Sequence, residues 1–267
     1  MYDRKLGYSS INTARSALST FVMMPTDNSC TIGNSALVKR FMRGIFLLDP
    51  PRPRYAAIWD VRIVLNYLKS LIPVNKLDLR LLTLKLTMLM SLVTAQRAQT
   101  IHLLKISNMT TDGHIIVFRI TDLVKQTSTR IKPPVIRLIP YPEDTSLCVK
   151  TTLNDFIARS SKFRQQQDQL LLSFSRPHRA VTKDTISRWI KLVLESAGIN
   201  TINYKPHSTR SASTSATMKN RISVDEILKT AGWSNEITFS KYYDKPLSND
   251  TAFSNALLKT EIGRAHV

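Results

Sequence analysis

The chain has 267 residues, 43% of them hydrophobic, with 38 Lys and Arg against 19 Asp and Glu, a net charge of +19. That length allows one large domain or two modest ones, and that apolar content is enough for an ordinary buried core, so disorder is not the default. The charge excess points to a polyanion, most commonly nucleic acid, with a ribosomal-type structural protein or a basic membrane-surface protein as blander readings.

Residues 1–48 read as helical. Ser9, Ser10, Asn12 and Thr13 supply capping groups ahead of a run through Ala14, Arg15, Ala17 and Leu18. Pro25 to Ser35 is polar and reads as a loop. Ser35 to Leu48 sets Ala36, Leu37, Phe41, Ile45 and Leu48 on one apolar face at helical spacing, with Lys39, Arg40 and Arg43 on the other side. That basic side is either a solvated surface or a contact for DNA backbone. Asp49 to Arg54 (DPPRPR) is stiff, because each proline biases its predecessor to extended geometry. It reads as an interdomain linker, residues 49–55, in which Arg52 and Arg54 can contact phosphates.

Trp59 to Leu71 has the pattern of an amphipathic helix, and Leu77 to Val93 that of a buried one, with Leu82, Leu86, Leu89 and Met90 near its centre. The latter ends at Thr94-Ala95-Gln96-Arg97, and a helical segment, Ala98 to Leu104, follows. Arg97 stands between two apolar helices, and arginine is almost never fully buried unpaired. The nearest acids in sequence, Asp78 and Asp112, are well separated from it, which favours an anion-binding role over an ion pair. His114 to Ile120 and Pro134 to Ile139 read as antiparallel strands, with Lys125 near the tip of the hairpin between them.

Leu147 to Ser160 reads as a helix and Leu170 to Phe174 as a short strand. Thr182 opens a capped helix that runs through Leu194 and is stopped by Gly198. Residues 205–243 follow (KPHSTRSASTSATMKNRISVDEILKTAGWSNEITFSKYY). His207 and Arg210 share a helix face there, and the pairs Gly232–Trp233 and Tyr242–Tyr243 come after them. Asp250 to Leu258 reads as a short amphipathic tail helix. The fold class is mainly α with a small antiparallel β-sheet, α+β.

Cys30 and Cys148 are far apart with no CxxC, so neither a zinc site nor a disulfide framework is expected and the compartment reads as reducing. His102, His114 and His178 have no metal-ligand spacing. No apolar run reaches the ~18 residues of a membrane span, and the N-terminus has no secretory pattern. The last seven residues, Glu261 to Val267 (EIGRAHV), match an in-frame translation of a common sequencing adapter and are set aside. The chain reads as a fragment truncated at both ends.

The order Arg97, Lys125, His207-x-x-Arg210, Trp233, then tyrosine resembles the tyrosine recombinase (phage integrase) family, whose signature is Arg…Lys…His-x-x-Arg…His/Trp…Tyr. Thr94-Ala95-Gln96-Arg97 looks like the first-arginine box, Lys125 like the hairpin lysine, and Ala231-Gly232-Trp233-Ser234 stands where the family has Gly-His or Gly-Trp. Thr100 occupies a position where many bacterial members carry an acid. The run Thr238 to Pro246 (TFSKYYDKP), the linker Pro50 to Tyr55 and the run Ile11 to Ala17 look like recombinases of eukaryotic mobile elements of the DIRS and Crypton type. The resemblance implies a catalytic domain over 56–260, preceded by a truncated all-α core-binding (SAM-like) domain over 1–48.

The resemblance also implies a site-specific DNA recombinase or integrase working through a 3′-phosphotyrosyl intermediate, with no metal and no cofactor. Arg97 and Arg210 would hold the non-bridging oxygens and His207 would exchange a proton or hydrogen-bond the phosphate. Lys125 would protonate the leaving 5′-oxygen, and Trp233 would hydrogen-bond a phosphate oxygen. The nucleophile is Tyr243 by the eukaryotic-element pattern, with Tyr242, at the bacterial spacing from Trp233, as the fallback. Arg15, Lys39, Arg40, Arg43, Arg52 and Arg54 would contact double-stranded DNA. The protein would assemble as a homo-oligomer, a tetrameric synapse on DNA, in the nucleus of a eukaryotic host or otherwise in the cytoplasm or nucleoid. The alternatives are a type IB topoisomerase-like enzyme and a catalytically decayed DNA-binding protein derived from a mobile element.

Overall fold

A computed structural model of the chain describes residues 6–24, 27–51, 55–124, 133–233, 236, 239, 240 and 245, with the side chains of 23–30 outside that description. The chain divides into two units, Met1–Arg54 and Tyr55–Val267.

In the first unit, α1 (Tyr8–Phe21) packs on α2 (Ala36–Leu48) through Ile11, Met42 and Ile45, with Tyr8 and Val38 against them. The Ser35 hydroxyl caps α2 by accepting from Val38 N at 3.3 Å. The buried face of α2 keeps only Ile45 of the expected one and adds Met42. Leu37, Phe41 and Leu48 are 78%, 57% and 73% exposed, while Met42 and Ile45 meet α1. The apolar arc of this helix is wider than one partner can cover, and helical periodicity cannot say which part of it α1 will take. Within Pro25–Ser35, expected as loop, residues 27–31 instead form β2 (Asp27–Thr31), which pairs with β1 (Met23–Met24). Main-chain pairing of this kind needs no apolar alternation.

The second unit is built around α4 (Leu79–Thr94), which Asp78 caps through Leu81 N at 2.6 Å. It contacts α6 (Val149–Ser160), α7 (Lys183–Ser196), α8 (Ser208–Lys219) and β5 (Val135–Leu138). Of its 16 residues 12 are buried, so it is a core helix on nearly every side. Its polar members are accommodated locally. Thr83, Thr87, Ser91 and Thr94 each donate to the carbonyl four residues back, at 2.6–2.7 Å. Before it, α3 (Val61–Ser70) starts two residues later than Trp59 because Asp60 caps it, accepting from Arg62 N at 2.9 Å.

The sheet has the order β3-β4-β5, all antiparallel, with β4 (Ile115–Arg119) central and Phe118 fully buried. Its third strand, β3 (Met109–Asp112), lies at an edge, mostly exposed, so it carries no alternating apolar signal. The turn into β4 uses Gly113 at φ +57°, a conformation glycine adopts without cost. The strand expected over Leu170–Phe174 is absent. Leu170, Leu171 and Leu172 are buried, yet the segment makes only isolated bridges, Lys105 to Gln169 and Leu172 to Ala180. An apolar run reports burial and not a ladder. No helix among the described residues is long and apolar enough to cross a membrane.

Lys85 is the anomaly of this core. It is 0% exposed, and its Nζ donates to Leu71 O, at the end of α3, at 2.7 Å. Burial pushes its pKa down to about 8 from 10.5, against a small opposing pull from Asp144. The folded lysine thus releases its proton before the unfolded one. Stability should rise between pH 8 and 10.5, where only the unfolded chain still binds that proton, and the full penalty of about 3 kcal/mol remains below pH 8. Lys85→Met removes the penalty and forgoes one hydrogen bond worth about 1 kcal/mol. The variant is therefore expected to be more stable by about 2 kcal/mol at pH 7, with the gain vanishing by pH 10.5. Urea melts across that range check it, and a gain independent of pH would refute the assignment.

Candidate active site

The site is assembled at three chain reversals. In the first, Ala95 ends α4 in the left-handed region (φ 49°, ψ 28°), a conformation costing a non-glycine residue about 1 kcal/mol. The chain then reverses through Gln96 and extends at Arg97, the residue before α5 (Ala98–His102), whose first turn bonds back to Arg97 O. Gln96 is 5% exposed and its Nε2 donates to Thr230 O at 2.7 Å, which ties this reversal to α9 (Val224–Ala231).

The second reversal is the entry to α8. Ser208 N, Thr209 N and Arg210 N donate to the carbonyls of Lys205, Pro206 and His207, forming the opening turn. His207 is the exposed residue at the helix start, and Ser208 to Ser215 form a buried run of small, mostly polar residues around Arg210. The small side chains let α8 approach α4 closely, where Ser213 Oγ donates to Leu92 O.

The third is the end of α9. Ser223 caps its start, accepting from Glu226 N, and Gly232 closes it at φ 67°. Gly232 N and Trp233 N donate back to Lys229 O and Leu228 O, the paired bonds of a glycine-terminated helix. That closure aims Trp233. The Arg210 guanidinium lies over the Trp233 ring, 4.2 Å from its centroid, and its Nη2 donates to Ala231 O at 2.5 Å. Arg210 is 2% exposed, so a charge is held between an indole face and the carbonyl end of a helix, the negative pole of its dipole. Gln96 and Arg210 thus grip consecutive carbonyls, Thr230 and Ala231, and this brings the two arginine boxes side by side.

Gln96, Arg97, His207, Thr209 and Arg210 line one cavity of about 80 Å³, with Ser187 of α7 on its wall. This is room for a few waters, which suits a single oxyanion better than a base or a metabolite. Arg97 is half-buried and His207 exposed, so the pocket grades from a buried cation to an open imidazole. Arg97, His207, Arg210 and Trp233 are therefore brought together. Lys125, Tyr242 and Tyr243 lie outside the described residues, as do Arg52, Arg54 and the tail helix at 250–258. Phe239, on the near side of the tyrosines in sequence, is buried with its ring 5.4 Å from Trp233, and Lys245 N, on the far side, donates to Ser215 Oγ on α8. In the first unit Lys39, Arg40 and Arg43 are exposed, whereas Arg15 is half-buried with Nη1 3.5 Å from Gly33 O.

A model of the Phage integrase family matches residues 63–248. The chain belongs to the phage integrase (tyrosine recombinase) family. This phage integrase relative has no match among the curated proteins. Among solved structures it is similar to the XerH site-specific recombinase in post-cleavage complex with palindromic difH substrate, with TM-score 0.60 and 13% identity, covering 98% of this chain and 69% of that one. The XerH pre-cleavage complex with difH gives TM-score 0.57 at 11% identity over 94% of this chain, and the chain spans 62% of that protein's length. XerA recombinase gives TM-score 0.54 at 18% identity, covering 98% and 85%. At these identities the likeness is one of fold.

Gln96, Tyr55 and Trp59 join the site without having been expected from the sequence. Gln96 lay inside the Thr-Ala-Gln-Arg box and could have been singled out there. For Tyr55 and Trp59 no local pattern exists, because their partners are 149 and more residues away.

Proposed function

We propose that this phage integrase relative is a DNA recombinase that cuts and rejoins strands through a covalent 3′-phosphotyrosyl intermediate. The observation that carries the reading is the meeting of Arg97, His207 and Arg210 on one small cavity, from segments over a hundred residues apart in the chain. In this reading the tyrosine oxygen bonds to the scissile phosphorus, the bond from phosphorus to the 5′-oxygen breaks, and the phosphoester is kept as the protein linkage. The tyrosine gives up its proton, with His207 exchanging it, and the 5′-oxygen takes one from Lys125 and departs as a hydroxyl. Arg97 and Arg210 offset the charge on the non-bridging oxygens, and Trp233 holds Arg210 in place and adds its own N–H toward the phosphate. A 5′-hydroxyl of another duplex then reverses the step on a new partner.

Double-stranded DNA is the partner that the net charge of +19 supports. The TFSKYYDKP run and the proline-rich linker support an origin in a eukaryotic mobile element of the DIRS or Crypton type, acting in the nucleus as a tetrameric synapse. The test uses nicked duplexes tiled from the DNA flanking the coding sequence, so that a cleaved strand cannot religate. A protein–DNA adduct surviving SDS is expected on a subset of them. The absence of any adduct, with DNA binding intact, would leave a decayed DNA-binding protein as the reading. Relaxation of supercoiled plasmid without joining of two duplexes would make the enzyme topoisomerase-like instead.

A further inference from the structure

The residues that open the second unit grip the approach to His207 at three points. Tyr55 Oη accepts from Lys205 N at 3.3 Å, and the Tyr55 ring lies 5.7 Å from that of Tyr204. Trp59 Nε1 donates to Ser208 Oγ at 2.9 Å, a buried bond across 149 residues of sequence. Tyr55, Trp59 and Ser208 are 8%, 2% and 0% exposed. Lys205 and Ser208 bracket His207, so both flanks of an exposed imidazole are held by one short segment. That segment is itself fixed, since Asp60, the next residue, caps α3, and α3 packs on α8.

We propose that Tyr55 and Trp59 are positioning residues for His207, with the Trp59–Ser208 bond setting where its backbone enters α8. The inference rests on the recombinase reading for its catalytic consequence, but not for its structural one. His207 sits at the helix start, in a turn of i to i+3 bonds, so the direction in which its exposed side chain leaves the chain is set by that turn. Its position follows the backbone on either side, and that backbone follows the clasp. A buried indole N–H needs an acceptor, and here the acceptor is the residue next to the candidate proton-transfer group.

The experiment compares Trp59→Phe, Ser208→Ala, the double variant and Tyr55→Phe. Tyr55→Phe deletes only the phenol oxygen, whereas Trp59→Phe also shrinks a buried ring, so Ser208→Ala, which keeps the indole, is its control. Two readouts are taken: the single-turnover rate of adduct formation at saturating nicked duplex, and the His207 ring signals in nuclear magnetic resonance, assigned with His207→Gln. Trp59→Phe is expected to slow adduct formation by about ten- to hundredfold at unchanged DNA affinity, as small misplacements of a reacting group do. Its His207 signals should shift while those of His102, His114 and His178 stay. The double variant should be no slower than the slower single one, since both remove the same bond. Additive losses, or unmoved His207 signals in folded Trp59→Phe, overturn the proposal. Should that variant fail to fold, Ser208→Ala and Tyr55→Phe carry the same readouts. If wild type forms no adduct, the recombinase reading fails by itself and the His207 signals still decide the clasp.

Discussion

Tyr243→Phe is expected to abolish the SDS-resistant adduct, and Tyr242→Phe to leave it. The substitution removes one oxygen and nothing else, so an aromatic ring still fills its place and the loss reads chemistry rather than folding. Without the phenol no covalent step can occur, and a fall on the order of 10⁴-fold or more is the scale seen when a nucleophile is deleted. The two tyrosines are adjacent, and on a helix adjacent residues diverge by about 100°, so one of them at most addresses a given phosphate. The spacing of nine residues from Trp233 selects Tyr242, while the TFSKYYDKP pattern selects Tyr243. An adduct that persists in Tyr243→Phe and disappears in Tyr242→Phe reverses the assignment. Loss in both, with DNA affinity retained, would mean that the second tyrosine supports the first.

Arg210→Lys is expected to lower adduct formation by about 10²–10³-fold, the usual result of removing one preorganised electrostatic donor. The charge survives, so a loss of that size identifies geometry as the cause. Lysine cannot present a planar fork to a phosphoryl group, nor can it both lie over Trp233 and reach Ala231 O as the guanidinium does. Arg210→Ala should show the same catalytic loss plus a folding defect. It leaves the Ala231 carbonyl buried without this donor, about 1–3 kcal/mol, and forfeits a desolvated cation–π contact worth about 2 kcal/mol. Single-turnover kinetics and urea melts separate the two effects. Cleavage by Arg210→Lys within about threefold of wild type, well short of the expected donor loss, would remove Arg210 from the phosphate clamp.

Much of the fold is legible locally. Asp60, Asp78, Thr182 and Ser223 each cap the helix that follows them, and the heavily apolar run from Leu79 identified the core helix. Elsewhere local pattern underdetermines partners. The arc on α2 is too wide to show that α1 takes Met42 beside Ile45 rather than Leu37, Phe41 and Leu48. β3 is silent because an edge strand exposes most of its side chains, and Leu170–Leu172 are buried yet join only an isolated bridge, Leu172 to Ala180.

The sequence by itself determined the net charge of +19, which points to a polyanion, and the chemistry of the boxes, through residue type and order. Arginine, histidine and tryptophan in that order say what the pocket can do to a phosphate, and no packing is needed to read it. Only the tertiary structure decided that the boxes share one cavity. Their meeting depends on two hydrogen bonds to the last carbonyls of α9, from Gln96 and Arg210, and on a clasp from Trp59 to Ser208. Such contacts span 21 to 149 residues of chain. No helical or strand period extends that far, so their geometry exists only once the core around α4 has closed.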